Sequence, residues 1–484
     1  MTPDALAAFA RTSLDEALAE RGDPAESALA IFRRAASTVP AYAAYLRAHG
    51  VDPAGVADLA RVPLMTKDAY VAAHPLAERC RGGSLASLDT IAVSSGSTGE
   101  PTFWPRSADD ELAVARRFEQ VFVDSFGAAE KRTLAVVCFP LGTWVGGMFT
   151  TAACRHLASR GYQVTTVTPG NDRAEILRVV RALAPAYDQT VLLGYPPFVK
   201  DVVDGALADG FSWAPASIKL VLAGEVFSEA WRTLVCERAA LARPEYDTAS
   251  LYGTADAGVL AVETPLSIAL RRFCDVHLDA ARALFGSTRL PTLAQYDPRA
   301  RYFETTAEGT LVVTADGGAP LVRYHIADDG GVLGFDAMLA RAAELGFEAP
   351  PSIRARRLPF VWVFGRSRFA ISLYGANVFP EMISVGLEQP DVRAWVTGKF
   401  VMEARETDSR DRRLAIDVEL ARGVSATEAM RDAIAGSILA ELLRLDSEFS
   451  HYVPREVQRP EIALFAYGDP ARFPVGVKHR YSRR

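Results

Sequence analysis

Four apolar runs of strand length recur between helical stretches in the middle of this chain, and that alternation limits the folds open to it. The runs are "TLAVVCF" (133–139), "YQVTTV" (162–167), "TVLLGY" (190–195) and "IKLVLAG" (218–224). Between them lie "RAEILRVVRALA" (173–184) and "FVKDVVDGALADG" (198–210), which read as helices. Strands that are apolar throughout, each followed by a helix, predict an α/β fold with a parallel sheet covered on both faces. Beyond residue 300 the pattern changes. "GTLVVTA" (309–315) and "FVWVFGRSRFAISL" (360–373) read as strands of a more antiparallel region. The last hundred residues offer one strand, "LAIDVEL" (414–420), and a helix over 425–445 that opens at Ser425 with Glu428 three positions on, a capping-box spacing. At 484 residues the chain exceeds what one core normally serves. The expected division is a large unit over 1–367 and a small α+β unit over 368–484.

Charge and cysteine content exclude several function classes. There are 53 Lys and Arg against 59 Asp and Glu, a net charge of −6, so no basic footprint for nucleic acid or an anionic membrane exists. The tail "VKHRYSRR" is a local exception, open to phosphate binding or to simple solvation. The five cysteines (Cys80, Cys138, Cys154, Cys236 and Cys274) are scattered and odd in number, which suits reduced thiols in a cytoplasmic protein. The N-terminus reads as an amphipathic helix. Residues 133–154 carry no charge but are interrupted by Pro140, Gly142, Gly146 and Gly147, which predicts a strand, a loop and a helix start in place of a membrane span.

Several strings carry chemistry. "SSGSTGEP" (94–101) follows the apolar "TIAV" and offers backbone N–H groups and hydroxyls suited to phosphate oxygens, without the lysine of a P-loop. Its plain alternative is a solvated turn. "LYGTADAG" (251–258) sets Asp256 where a carboxylate could hold Mg²⁺ or complement a helix N-terminus. "LVRYHIADDGG" (321–331) ends an apolar strand in acids and glycines, and Asp328 could accept hydrogen bonds from ribose hydroxyls or simply mark a turn. His325 has no ligand-spaced partner. "FGRSRFAISLYGANVFP" reads as a hairpin stopped by Pro380, and Lys478 lies near the end of the chain. No G-x-S-x-G, H-E-x-x-H or paired CxxC is present.

Taken in order with "VPLMTKDAY" (62–70), "PLGTWVGGMFT" (140–150) and "AGEVF" (223–227), these strings resemble the adenylate-forming superfamily, in particular its phenylacetate–CoA ligase branch. The resemblance implies a large adenylate-forming unit, with mixed sheets and helices, and a small unit that rotates between two half-reactions. It implies that Ser94, Ser95, Gly96, Ser97, Thr98 and Gly99 embrace ATP phosphates. Tyr252, Gly253 and Thr254 would border the nucleotide, Asp256 would take Mg²⁺, and Asp328 with Arg366 would bind ribose. Lys478 would bridge the acid and the α-phosphate. Trp144, Gly146, Gly147, Tyr195, Phe198, Glu225 and Phe227 fall in pocket-side strings, and their aromatic members suit a planar apolar acid. The implied acceptor is coenzyme A. A carrier-protein thiol or an amine is the alternative, as is a nucleotide-binding protein without catalysis. Three departures bear on that choice: Glu100 where the family loop has lysine, Ala255 and the shorter Asp256 in the second motif, and Ser367-Arg368-Phe369 at the expected hinge.

Overall fold

The computed structural model describes residues 3–19, 22–86, 88–93, 102–143, 145–365, 371–374, 376–406, 412–473 and 481. Its centre is an eleven-stranded sheet. Val164–Val167, Thr133–Val137, Gln189–Gly194, Ile218–Ala223 and Thr248–Thr254 lie side by side and parallel. Beyond Thr248–Thr254 the sheet turns antiparallel through Gly258–Val262, Thr292–Gln295, Phe360–Gly365, Leu321–Leu333, Thr310–Ala315 and Arg301–Thr305.

The unbroken apolar runs are explained by burial on both sides. Leu134 and Val136 face Val180, Val199 and Val203 of the helices Arg173–Leu183 and Pro196–Ala208. Ala135 and Val137, pointing the other way, face Ala115, Phe118 and Leu157 of the helices Ala108–Gln120 and Val145–Ser159. The antiparallel half is covered by Pro24–Thr38 and Pro40–Ala48, whose Phe32, Tyr42 and Tyr45 join Leu311, Val313 and Val361.

The small unit has a separate core. A hairpin (Ile371–Leu373, Ala376–Val378), the helices Pro380–Leu387 and Glu428–Leu445, and a sheet of Val396–Glu406, Arg412–Leu420 and Glu461–Phe465 enclose Ile383, Phe400, Ile416, Ile438 and Phe449. The boundary expected at 367/368 falls among residues 366–370, outside the described set.

Local structure departs from expectation in four places. The N-terminal helix is two, Pro3–Arg11 and Leu14–Leu18, because Ser13 leaves helical geometry and caps the second through Glu16 N–H. The long C-terminal helix begins at Glu428 under a Thr427 cap that accepts from Met430 N–H at 3.1 Å, leaving Ser425 outside it. Pro380 opens a helix at its first turn, where its missing N–H costs nothing, instead of stopping a hairpin. The strand Leu321–Leu333 runs straight through Asp328-Asp329-Gly330-Gly331.

The two units meet through polar contacts. Tyr467 Oη donates to Asp201 at 2.7 Å, Tyr481 Oη to Glu225 at 2.8 Å, and Thr288 Oγ1 to the Leu445 carbonyl at 2.6 Å. Ser228 Oγ donates to Glu388, whose burial pushes its carboxyl up to about 8, against the lowering effect of that hydroxyl and of Lys200. A Glu388 released to solvent would lose its proton near 4.5, so between 4.5 and 8 the packed state holds the extra proton. Stability therefore falls as pH rises across that window, by up to about 1.4 kcal/mol per pH unit, and levels off above it. The melting temperature is expected to drop more steeply from pH 5.5 to 8.5 in the wild type than in Glu388→Gln. Equal slopes would show that this carboxyl is ionised at the seam.

Candidate active site

At the centre of the sheet's antiparallel half, two tyrosines and two aspartates from distant segments pair off. Tyr252, near the end of the strand Thr248–Thr254, donates its hydroxyl to Asp328 Oδ2 at 2.9 Å. Tyr324 donates to Asp256 Oδ2, across 68 residues of sequence. Asp256 sits on the tight turn joining Thr248–Thr254 to Gly258–Val262, so it belongs to a β-hairpin and not to a helix N-terminus. Asp328 is buried, whereas Asp256 and Tyr252 are half-buried. Tyr252 lies nearly parallel to Phe303, with ring centroids 6.3 Å apart, and leaves part of its surface exposed.

The strand that carries Tyr324 and Asp328 is strained immediately before each. Arg323 has φ +47° and Ala327 φ +61°, a left-handed geometry that costs a non-glycine residue about 1 kcal/mol or more. Pairing with Thr310–Ala315 slips register twice alongside. These bulges raise the local twist of a strand on which Tyr324 and Asp328, four positions apart, share a face. The segment around Met65 pins the strand, since Met65 N–H donates to the Arg323 carbonyl and His325 N–H to the Met65 carbonyl. His325 itself bonds Thr310 Oγ1 at 2.8 Å, a structural contact.

Two buried arginines hold the Asp256 turn from behind. Arg106 Nη2 donates to the carbonyls of Ala255 and Asp256, the latter at 2.7 Å, and Arg301 Nη2 reaches the Ala257 carbonyl at 3.4 Å. Burial lowers the Arg106 pKa, while Asp110 and Asp256 oppose that effect. Tyr324, Arg106 and Arg301 were not singled out from sequence. Tyr324 lies inside the quoted "RYHIAD", but its partner is fixed only by the fold.

Other expected residues are divided between places. The hairpin Thr90–Val93 and Phe103–Arg106 is formed, and Val93 N–H donates to the Thr143 carbonyl, joining two of the quoted strings. Ser94, Ser95, Gly96, Ser97, Thr98 and Gly99 between them lie outside the described residues, as do Trp144, Arg366 and Lys478. Gly146 and Gly147, expected in a loop, stand instead in the first turn of the helix Val145–Ser159. A Cβ on Gly147 would collide with the Pro140 carbonyl oxygen. Gly224 has φ +89°, and a Cβ there would stand 2.5 Å from the Tyr195 ring. Tyr195 meets Phe139 edge-on at 5.0 Å and packs on the cluster below the helix Val145–Ser159. Phe198 and Phe227 pack instead on the cluster at the opposite face of the sheet, Phe227 against Trp231. Glu225 joins the first group: it raises the Tyr195 pKa, second to burial, and accepts from Tyr481.

Among the described residues no group of three or more His, Cys, Asp or Glu forms a cage. Mg²⁺ needs none when phosphate oxygens supply most ligands and one carboxylate, such as Asp256, completes them.

No family model and no curated protein matches the sequence. Solved structures do. 2-Hydroxyisobutyryl-CoA ligase in its postadenylation state, in complex with R3-HIB-AMP, is similar over 95% of this chain and 88% of that one, with a TM-score of 0.69 at 15% identity. This is the fold of the adenylate-forming ligases. The same ligase, bound to 2-HIB-AMP and CoA in the thioesterification state, covers 95% of this chain and 89% of that one at a TM-score of 0.55 and 16% identity. In the adenylate-forming fold seen here, the five free cysteines are all buried, and burial pushes four of the thiols up to about 12. No described helix is long and apolar enough to cross a membrane.

If the strand before Asp328 is strained, Ala327→Gly should raise stability to denaturant by about 1 kcal/mol. A loss of stability would show that the alanine backbone is relaxed.

Proposed function

We propose that the protein is an ATP-dependent acid–thiol ligase that adenylates a small aromatic carboxylate and passes the acyl group to coenzyme A. The observation that carries this reading is the Tyr252–Asp328 hydrogen bond. It brings together two motif residues, 76 positions apart, that the sequence resemblance assigns independently to the same nucleotide.

On this reading Tyr252 flanks adenine and Asp328 accepts the ribose hydroxyls, with Arg366 beside them. Ser94, Ser95, Gly96, Ser97, Thr98 and Gly99 hold the phosphates, with Gly253 and Thr254 at the turn. Asp256, oriented by Tyr324 and Arg106, holds Mg²⁺, which would offset phosphate charge. Lys478 meets the carboxylate and the α-phosphate. It stands three residues before Tyr481, whose side chain is anchored on Glu225. One carboxylate oxygen bonds to the α-phosphorus while the bond to the bridging oxygen breaks, and pyrophosphate leaves with the electron pair. The thiol sulfur then attacks the acyl carbon, the acyl–oxygen bond breaks, AMP departs and the thiol proton goes to solvent.

On this reading Gly146, Gly147, Tyr195 and Glu225 line the acid pocket, and the sequence resemblance assigns Trp144 to it as well. Tyr195 edge-on to Phe139 favours a planar apolar body. Phe198 and Phe227 act in this scheme by supporting the strand ends from the other face. The division into units at 367/368 and a cytoplasmic setting belong to the same reading. The higher TM-score against the postadenylation state supports a postadenylation-like arrangement of the two units.

Pyrophosphate release from Mg-ATP across a panel of aromatic and aliphatic acids, with and without coenzyme A, tests the proposal. Release that depends on an aromatic acid, and thioester formation on adding coenzyme A, are expected. Lys478→Ala should slow adenylation by about 10²–10³, and Asp328→Ala should raise the KM for ATP by about tenfold. Acid-independent release, or a Lys478→Ala variant as fast as the wild type, would sink the reading.

A further inference from the structure

The joint between the two units contains a buried cation that the adenylation chemistry leaves unused. Arg289 follows the helix Leu278–Phe285 of the large unit and is only 9% exposed. Its guanidinium lies 4.6 Å from the ring centroid of Phe364 and 3.7 Å from that of Phe379. Phe364 belongs to the strand Phe360–Gly365, before the expected hinge. Phe379 caps the helix Pro380–Leu387, after it. One planar cation thus touches both sides of the joint.

The same guanidinium faces a carboxylate across the seam. Arg289 Nη1 stands 3.8 Å from Glu381 Oε2, and neither of these atoms has a hydrogen-bond partner among the described residues. Both residues line a cavity of about 40 Å³ between the units, with Ser228, Asp275 and Arg444. A purely structural arginine looks different. Arg232, in the large unit's interior, is bonded to Glu229, Thr248 and Glu263. Arg289 instead keeps an unfilled donor opposite an unfilled acceptor, and the distance between them depends on the angle of the two units. Asp329 also attracts the guanidinium. It pairs with Gly365 in the sheet and directly follows Asp328, so the joint and the nucleotide site share a strand.

We propose that Arg289 is the positioning residue that latches the small unit at its adenylation angle, and that release from Phe379 and Glu381 frees that unit for the second half-reaction. The inference rests on the adenylation reading for its chemistry but not for its geometry. Cation–ring attraction fades beyond about 6 Å, so a modest rotation breaks the Phe379 contact while Phe364 keeps its own.

The test uses the full chain with Arg289→Met, Arg289→Lys and Glu381→Gln. Small-angle scattering reads the arrangement of the units without any catalysis. The two half-reactions are then measured separately, with supplied acyl-adenylate for the second. Arg289→Met is expected to increase the radius of gyration and to lower kcat of adenylation by about tenfold or more. KM for the acid should hold, and thioester formation from acyl-adenylate should proceed at or above the wild-type rate. Arg289→Lys, which keeps charge without the planar stack, should fall between. Glu381→Gln should shift scattering the same way by less, and it carries the test if Arg289→Met does not fold. Wild-type scattering for all three variants would overturn the latch, as would an equal loss in both half-reactions. A chain that adenylates nothing would refute the functional reading alone, with the scattering result still deciding the latch.

Discussion

Everything at the site depends on the strand Leu321–Leu333. It enters from the core, where Val322 is fully buried, and it exits at the joint, where Asp329 pairs with Gly365. Between those ends it departs from a regular pleat at Arg323 and Ala327. Each departure precedes a residue that grips the Thr248–Val262 hairpin, Tyr324 to Asp256 and Asp328 to Tyr252. The local cost of left-handed alanine and arginine is borne because neighbours on both edges, and the Met65 segment, fix the backbone.

A second constraint lies beneath the pocket-side loop. Glu229, Arg232, Glu263 and Arg271 form a charge network in which every residue is at most 3% exposed. Arg271 extends it by donating to the carbonyl of Phe227. Burying four ions gains little net stability, yet removing one partner leaves an uncompensated charge that typically costs about 3–5 kcal/mol. Such a network specifies geometry more than it adds stability. It fixes Phe227, and through the chain Glu225, against the sheet.

The parallel half of the fold was legible because strands buried on both faces leave unbroken apolar runs. The observed ends of Thr133–Val137, Gln189–Gly194 and Ile218–Ala223 lie within two residues of the expected ones. Punctuation was less informative. Acids and glycines at 328–331 normally end a strand, but here bulges absorb them and pairing continues to Leu333. The split at Ser13 and the cap at Thr427 depend on single hydroxyls choosing among adjacent N–H groups, which periodicity does not reveal. At the site, Tyr252, Asp256 and Asp328 stood in recognisable strings. Tyr324, Arg106 and Arg289 did not, because each acts on residues 68 or more positions away and looks like any strand or loop residue locally.

The seam between the units has a consequence for how such chains can be taken apart. Among the described residues its side-chain hydrogen bonds include hydroxyls on carboxylates or carbonyls, Tyr467 on Asp201, Tyr481 on Glu225, Ser228 on Glu388 and Thr288 on Leu445, together with the Arg393 guanidinium on Glu237. Water substitutes for every one of these partners, so separation exposes groups that remain well solvated. The small unit also owns a core of more than twenty buried side chains. It is therefore a module with an interior of its own, joined through a face whose hydrogen-bonding groups water can satisfy and whose apolar side chains, Phe379 and Met382 among them, separation would uncover.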